Sequence, residues 1–306
     1  MICVIGENVV DMFKQADGSF RPRVGGSPLN VAIGAALQHV STWYLSPISS
    51  DAMGDMIAAQ LHAAGVTLPA QPRSAQPSSL AFVTFSEDGQ PRYSLYRQGI
   101  ADRDISADQL LALLPRQSNI LHTGSLAMEP DDADVMLPVL KTAKAWGIWL
   151  SLDINVRLNF VSDAERYRRH LTEVIGLVDI IKASDEDLAL LFPGYQADDA
   201  LAKLRHLAPK ALIAYTMGAA GAALYLGEQH IEAPGVAATP FVDTVGAGDT
   251  FFANLLAGLD AHHGVGLPPL SALQPLLARA NMAASINVSR VGCQPPSKAE
   301  LDARLA

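Results

Sequence analysis

The chain has 306 residues, 49% of them hydrophobic and 17% charged, which is ordinary for a globular protein able to bury a substantial core. A formal charge of −9 leaves no electrostatic footprint for nucleic acid or for an anionic membrane, so neither is expected as a partner. Cys3 and Cys293 have no metal or redox spacing, no long apolar run or basic leader is present, and a reducing cytoplasm is the expected setting.

In chain order, "ICVIG" reads as a strand and "VDMFKQADGSFRPRVGG" as a hairpin turning at Asp17-Gly18. A helical pattern, "NVAIGAALQHV", precedes the strand "TWYLSPI" and a second helix, "GDMIAAQLHAAG". Another hairpin follows in "SLAFVTFSEDGQPRYSLYRQG", with its turn at Asp88-Gly89. The strands "NILHTG", "IWLSLDI", "VDIIKAS" and "ALIAYTM" then alternate with the helices "DDADVMLPVLKTAKAWG" and "DALAKLRHLAP". This rhythm predicts an α/β fold of βαβ units: three layers, αβα, around a mostly parallel, doubly wound sheet. The two hairpins predict a small β-sheet lid, made by segments of about 10–24 and 79–98, on a single domain spanning 1–306.

Near the C-terminus, "PFVDTVGAGDTFFANLLAGL" places Asp249 behind Gly246, Ala247 and Gly248, ahead of an apolar helical pattern. An aspartate there could simply cap the helix. The alternative is that the amides of those three small residues face another anion, with Asp249 accepting a proton from an attacking hydroxyl. No Walker A pattern occurs, and Phe251 stands where a dinucleotide fingerprint needs its third glycine.

The string Asp243-Thr244-Val245-Gly246-Ala247-Gly248-Asp249-Thr250-Phe251 resembles the DTxGAGDxF signature of the ribokinase-like (PfkB) carbohydrate kinases. "GENVVDMF" is similar to the family's first strand, and "GGSPLNVA" to its GGxPxNxA sugar motif. "LDINVR" resembles the DPNxR strand end of fructokinase-type members, "YTMGAAG" the TxGxxG nucleotide loop, and "ANMAASINVSRVGCQPP" the C-terminal helix and turn. Each match has an ordinary alternative: a surface strand residue for Asp11, a helix cap for Asn30, surface cations for Arg97 and Arg157. Their common order and spacing selects the kinase.

The resemblance implies ATP-dependent phosphorylation of a primary hydroxyl of a small sugar, fructose first. Asp249 would be the base, with Gly246, Ala247 and Gly248 as the anion hole. Sugar contacts fall on Asp11, Gly25, Gly26, Ser27, Asn30, Tyr96, Arg97 and Arg157. Nucleotide contacts fall on Lys182, Ser184, Asp187, Thr216, Gly218, Gly221 and Asn281. Mg²⁺ would accompany ATP, and K⁺ would use main-chain oxygens of Asp243, Val245, Asn287, Arg290 and Gly292. A homodimer through the β lid is a further expectation.

Some positions depart from the family pattern. Ile154 replaces a proline, Asp187 is one methylene shorter than the usual glutamate, and His39, Ser46 and Ser49 stand at usual glycines. The alternatives left open are a 2-keto-3-deoxygluconate kinase using Tyr96 and Arg97, a nucleoside or aminoimidazole riboside kinase, and a degenerate member that binds sugar or nucleotide as a regulator.

Overall fold

The computed structural model describes residues 1–85 and 91–306, so the expected turn at Asp88-Gly89 lies outside the described residues. The described residues form the strands β1 (Ile2–Val4), β2 (Val9–Lys14), β3 (Phe20–Gly25), β4 (Thr42–Tyr44), β5 (Ser79–Phe85), β6 (Pro91–Tyr96), β7 (Ile120–Gly124), β8 (Trp149–Asp153), β9 (Ile180–Ser184), β10 (Leu212–Thr216), β11 (Gly221–Leu226) and β12 (Gln229–Pro234). The helices are α1 (Ser27–Ala36), α2 (Ala52–Ala63), α3 (Ala107–Leu113), α4 (Ala133–Ala145), α5 (Ala164–Ile175), α6 (Asp185–Leu191), α7 (Ala197–Leu207), α8 (Ala247–Asp260), α9 (Leu270–Val288) and α10 (Lys298–Leu305).

Eight strands form one sheet in the order β12-β11-β10-β9-β8-β7-β1-β4. From β10 to β4 the pairing is parallel, while β11 and β12 close the other edge antiparallel. Alternate residues on each strand feed opposite cores. Cys3, Leu121, Ile181 and Ile213 face the core under α3 to α7, whereas Ile2, Val4, Ile120, Ile180 and Leu212 face the core under α1, α2, α8 and α9. Burial on both faces explains why these strands read as continuous apolar runs. The three-layer, mostly parallel fold is the one predicted.

The second sheet has four strands in the order β3-β2-β5-β6, two antiparallel hairpins joined by the parallel pair β2–β5. Strands β2 and β3 leave the large sheet just after β1 and return at α1, with β5 and β6 added after α2, so the lid lies at the carboxyl end of β1. Ligand crevices in such sheets lie at the carboxyl ends, where strand order reverses; here that is beside β1, flanked by β4 and β7.

Several boundaries differ from the sequence pattern. The helix expected from Asn30 begins at Ser27, with Pro28 in its first turn, where a missing amide proton costs nothing. That places Asn30 inside α1 rather than at its cap. The helix around Asn281 starts back at Leu270 and runs through Pro275. Close packing of α1 on α8 depends on Gly34, since a Cβ there would sit 2.6 Å from the Cβ of Ala253.

His39, just past α1, has φ 63° and its amide donates to the Ala36 carbonyl at 2.8 Å. A glycine would sit there without strain; the histidine, exposed at the helix end, carries the left-handed conformation in its place. Ser46 and Ser49 instead use their hydroxyls locally, accepting from the amides of Gly6 at 2.9 Å and Asp51 at 3.1 Å. Replacing His39→Gly should stabilise the fold by about 0.5–1 kcal/mol, the left-handed strain relieved less the extra freedom of the unfolded chain. A higher denaturation midpoint in urea would show it, and an unchanged midpoint would refute it.

Candidate active site

The first turn of α8 decides between the two readings of Asp249. The N-cap of this helix is Gly246, in the left-handed region at φ 74°, and no side chain caps the helix. A Cβ on Gly246 would lie 2.2 Å from Cys293 Sγ, so both conformation and space require glycine. Asp249 turns away from its own amides and toward α1. Its Oδ1 accepts from Ser27 Oγ at 2.7 Å and its Oδ2 from Asn30 Nδ2 at 2.8 Å. The capping explanation therefore fails.

The amides around it are mostly uncommitted. Ala247 donates to the Thr244 carbonyl at 3.2 Å, which revises the expected trio. The amides of Gly246, Gly248 and Asp249 have no acceptor among the described residues, and they crown a helix N-terminus. A Cβ on Gly248 would come within 3.0 Å of Lys182 Cε and 3.2 Å of its Nζ, so the lysine passes directly against this loop.

Lys182, on β9, is buried with Asp153 from the end of β8; its ammonium donates to both carboxylate oxygens, at 2.9 and 3.1 Å. Burial pushes the Asp153 carboxyl up to about 6 against the pull of Lys182, with Asp187 and Asp249 adding to the rise. Burial also opposes the lysine's charge, but Asp153 and Asp187 outweigh it and hold its pKa above the ordinary value. The result is a fixed cation at the strand ends, behind the anion loop.

Asp187 holds a different place from the one expected. With its shorter arm it caps its own helix: Oδ2 accepts from the amide and hydroxyl of Ser184 at 2.9 and 2.7 Å. Its Oδ1 accepts from the Val156 amide at 2.7 Å. Both oxygens are thus held by the chain, and the residue ties α6 to the end of β8.

On the lid side, Asp11 of β2 lies against Gly25 of β3, where a Cβ would sit 2.7 Å from its Oδ2. Among the described residues its carboxylate has no hydrogen-bond donor, and burial pushes its pKa up to about 6. Gly26 has φ 114°, with the space of its missing Cβ filled by the Glu7 carbonyl at 2.4 Å. Tyr96 ends β6 with 62% exposure.

Arg97 and Arg157 sit in different surroundings. Arg97 is 7% exposed; its Nη1 donates to Asp102 at 2.9 Å and its Nε faces Glu129 at 3.7 Å. Arg157 is exposed and donates to the Val156 carbonyl at 3.1 Å. The first is a buried structural cation and the second a surface one.

At the antiparallel edge, Thr216 ends β10 ahead of a short turn holding Gly218 at φ 52° and Gly221 at φ 110°. A Cβ on Gly221 would lie 2.3 Å from the Ala233 carbonyl, and Asn281 Nδ2 donates to the carbonyls of Ala233 and Pro234 at 3.1 Å each. The end of β12 thus gathers this loop and Asn281. Behind the anion loop, Asp243 accepts from the amides of Val245 at 3.0 Å and Gly292 at 2.8 Å. Asn287 Nδ2 donates to the Val245 carbonyl at 2.8 Å, and the Asn287 carbonyl takes the Arg290 amide at 2.9 Å. The carbonyls of Asp243, Arg290 and Gly292 accept nothing among the described residues. Glu7 and Asp102 had gone unremarked in the sequence; an acid directly after the apolar strand "ICVIG" was the available signal.

Free amides at a helix start, a clamped carboxylate and a buried lysine beneath them thus gather at the carboxyl ends of a parallel sheet, an arrangement suited to an anion. Comparison with known proteins agrees: residues 1–300 match the pfkB family carbohydrate kinase profile, and the chain belongs to that family as an ATP-dependent phosphotransferase. A fructokinase of Rhizobium leguminosarum bv. trifolii is 34% identical over 266 residues, 85% of this chain and 79% of that one. The structure of Xylella fastidiosa fructokinase with bound ATP superposes with TM-score 0.86 at 25% identity, over 99% of this chain and 98% of that one. An aminoimidazole riboside kinase of Salmonella enterica, solved with riboside and an ATP analogue, shares the fold with TM-score 0.85 at 22% identity, over 100% of this chain and 99% of that one. No helix among the described residues is long and apolar enough to cross a membrane.

Proposed function

We propose that this kinase transfers the γ-phosphoryl group of ATP to a primary hydroxyl of a neutral small sugar, with fructose the first candidate. The observation that carries the reading is Asp249, held by Ser27 and Asn30 beside the uncommitted amides of Gly246 and Gly248. The acceptor hydroxyl donates to Asp249 beside the Ser27 and Asn30 contacts and faces the phosphate in line. A carboxylate is a weak base and removes that proton late, so positioning outweighs basicity. Charge gathering on the phosphoryl oxygens meets the free amides, each worth roughly 3 kcal/mol by analogy with an oxyanion hole. The buried Lys182 adds a fixed positive charge behind them.

ATP lies along the strand ends toward Ser184, Thr216, Gly218, Gly221 and Asn281, where glycines leave the backbone open to close approach. The described residues hold no cluster of three metal-ligating side chains. Mg²⁺, which retains water readily, fits a site made of phosphate oxygens and waters, where it would neutralise phosphate charge. With Asp187 tied into the capping of α6, its part there is to hold the strand end. For K⁺, the open carbonyls of Asp243, Arg290 and Gly292 support a site behind the anion loop. Replacing K⁺ with tetramethylammonium should lower activity severalfold, a rough expectation for a cation that props an anion hole; equal rates would remove the site.

Two features favour a neutral sugar over a sugar acid. Asp11 offers hydroxyl groups a carboxylate that is unpartnered among the described residues, and Arg97, the cation a substrate carboxylate would need, is already paired inside the protein. The riboside reading is supported by the exposed ring of Tyr96, which could stack on a heterocycle. Phosphorylation assays with fructose, 2-keto-3-deoxygluconate and a riboside in competition test the choice, and preference for the acid would overturn it. In the same assays Asp249→Asn should lower kcat by about 10²–10⁴-fold while ATP and sugar binding stay within a few-fold. More than about a tenth of wild-type kcat would refute the base assignment.

Asp11 also sets a pH dependence. Its ionised form accepts two hydroxyl donors, and protonation forfeits part of that capacity. Because burial raises its pKa to about 6, the sugar KM should be constant above that value and climb as pH falls through it. Asp11→Asn should raise KM and erase this acid limb, with little change in the KM for ATP. An acid limb that survives the substitution would assign it to another group.

A further inference from the structure

We infer that Glu7 is a positioning residue for phosphoryl transfer: it fixes the first turn of α1, the turn that holds Asp249. The inference rests on Asp249 as the proton acceptor and adds a residue that touches neither substrate.

Helix α1 starts without a side-chain cap from its own N-cap residue. Glu7, in the segment after β1, supplies the missing acceptor across the chain, its Oε1 taking the Ser27 amide at 3.3 Å. The same residue's carbonyl fills the space a Cβ would need on Gly26, 2.4 Å away, so backbone and side chain of Glu7 together locate the start of the helix. Ser27 Oγ and Asn30 Nδ2 then reach Asp249 at 2.7 and 2.8 Å. Moving this turn by about 1 Å would stretch both bonds past useful length, and misplacement on that scale can cost about 10²-fold in rate.

Nothing about simple packing asks for an acid here. Glu7 is 2% exposed, and its Oε2 has no hydrogen-bond partner among the described residues. Behind it lies a cavity of about 40 Å³, lined by Ser46, Arg97, Asp102 and Asp132 among others. Asp102 Oδ1 and Arg97 Nε, also buried, are likewise without hydrogen bonds. Such a space can hold one or more waters, each of which needs about 10–15 Å³ and several polar partners. Burial pushes the Glu7 carboxyl up to about 7, opposed by Arg97 and the neighbouring Ser125 and reinforced by Asp102. Either protonation state keeps an oxygen for the Ser27 amide. Reach, rather than charge, is therefore the property that matters.

Three variants separate reach from charge: Glu7→Gln keeps the reach, Glu7→Asp keeps the charge, and Glu7→Ala keeps neither. Assays use fructose, or whichever sugar the wild-type enzyme phosphorylates fastest, with folding checked by circular dichroism. Glu7→Asp and Glu7→Ala should lose about tenfold or more in kcat with the KM for ATP within about twofold, and Glu7→Gln should stay within about threefold of wild type. If Glu7→Ala does not fold, the Asp and Gln variants still decide. An active Glu7→Asp beside an impaired Glu7→Gln would overturn the inference, as would full kcat in a folded Glu7→Ala. Should Asp249→Asn remain active in the same series, the base assignment fails first; an inactive Asp249→Asn beside normal Glu7 variants removes Glu7 alone.

Discussion

The contact between α1 and α8 is the constraint on which the site depends. Two helices far apart in the chain must approach closely enough for Ser27 and Asn30 to bond both oxygens of Asp249. Gly34 opposite Ala253 permits that approach, because any side chain at position 34 would collide. A carboxylate held from both sides loses little orientational freedom when a substrate arrives, so less of the binding energy goes into ordering it. The same contact turns Asp249 away from its own helix, leaving the amides around it for another anion.

Around that contact the protein gathers buried charge at the strand ends. Lys182 and Asp153 form an ion pair with almost no solvent contact, and removing charges from water costs several kcal/mol per ion before their attraction is counted. Such a pair contributes little to stability. Its position does explain itself chemically, since a lysine pressed against Gly248 puts positive potential where phosphate would approach. Asp187 plays the complementary part. By capping α6 and holding the Val156 amide, it fixes the strand ends that carry Asp153 and Lys182.

A second group of buried charges lies beneath the lid, where Arg97 meets Asp102 and Glu129, with Glu7 close by. Acids outnumber arginines in this group, so both arginines, Arg97 and Arg103, are already engaged within the protein.

The sequence by itself determined the layered α/β architecture, the lid hairpins and the importance of "GAGD", because each rests on local pattern: apolar runs for strands buried on both faces, turn residues for hairpins, small residues for close backbone approach. It also showed that Asp187 was a methylene short. Only the tertiary structure decided what the polar side chains do. Arg97 stood in the chain as a candidate for binding, yet packing supplied it with Asp102 and Glu129. Asp187 stood in the chain without visible partners, and folding gave it Ser184 and the Val156 amide. Glu7 sat unnoticed after β1 until the fold brought the Ser27 amide to it. A side chain's role follows from the partners that folding delivers, and those partners lie far along the chain, beyond the reach of any local pattern.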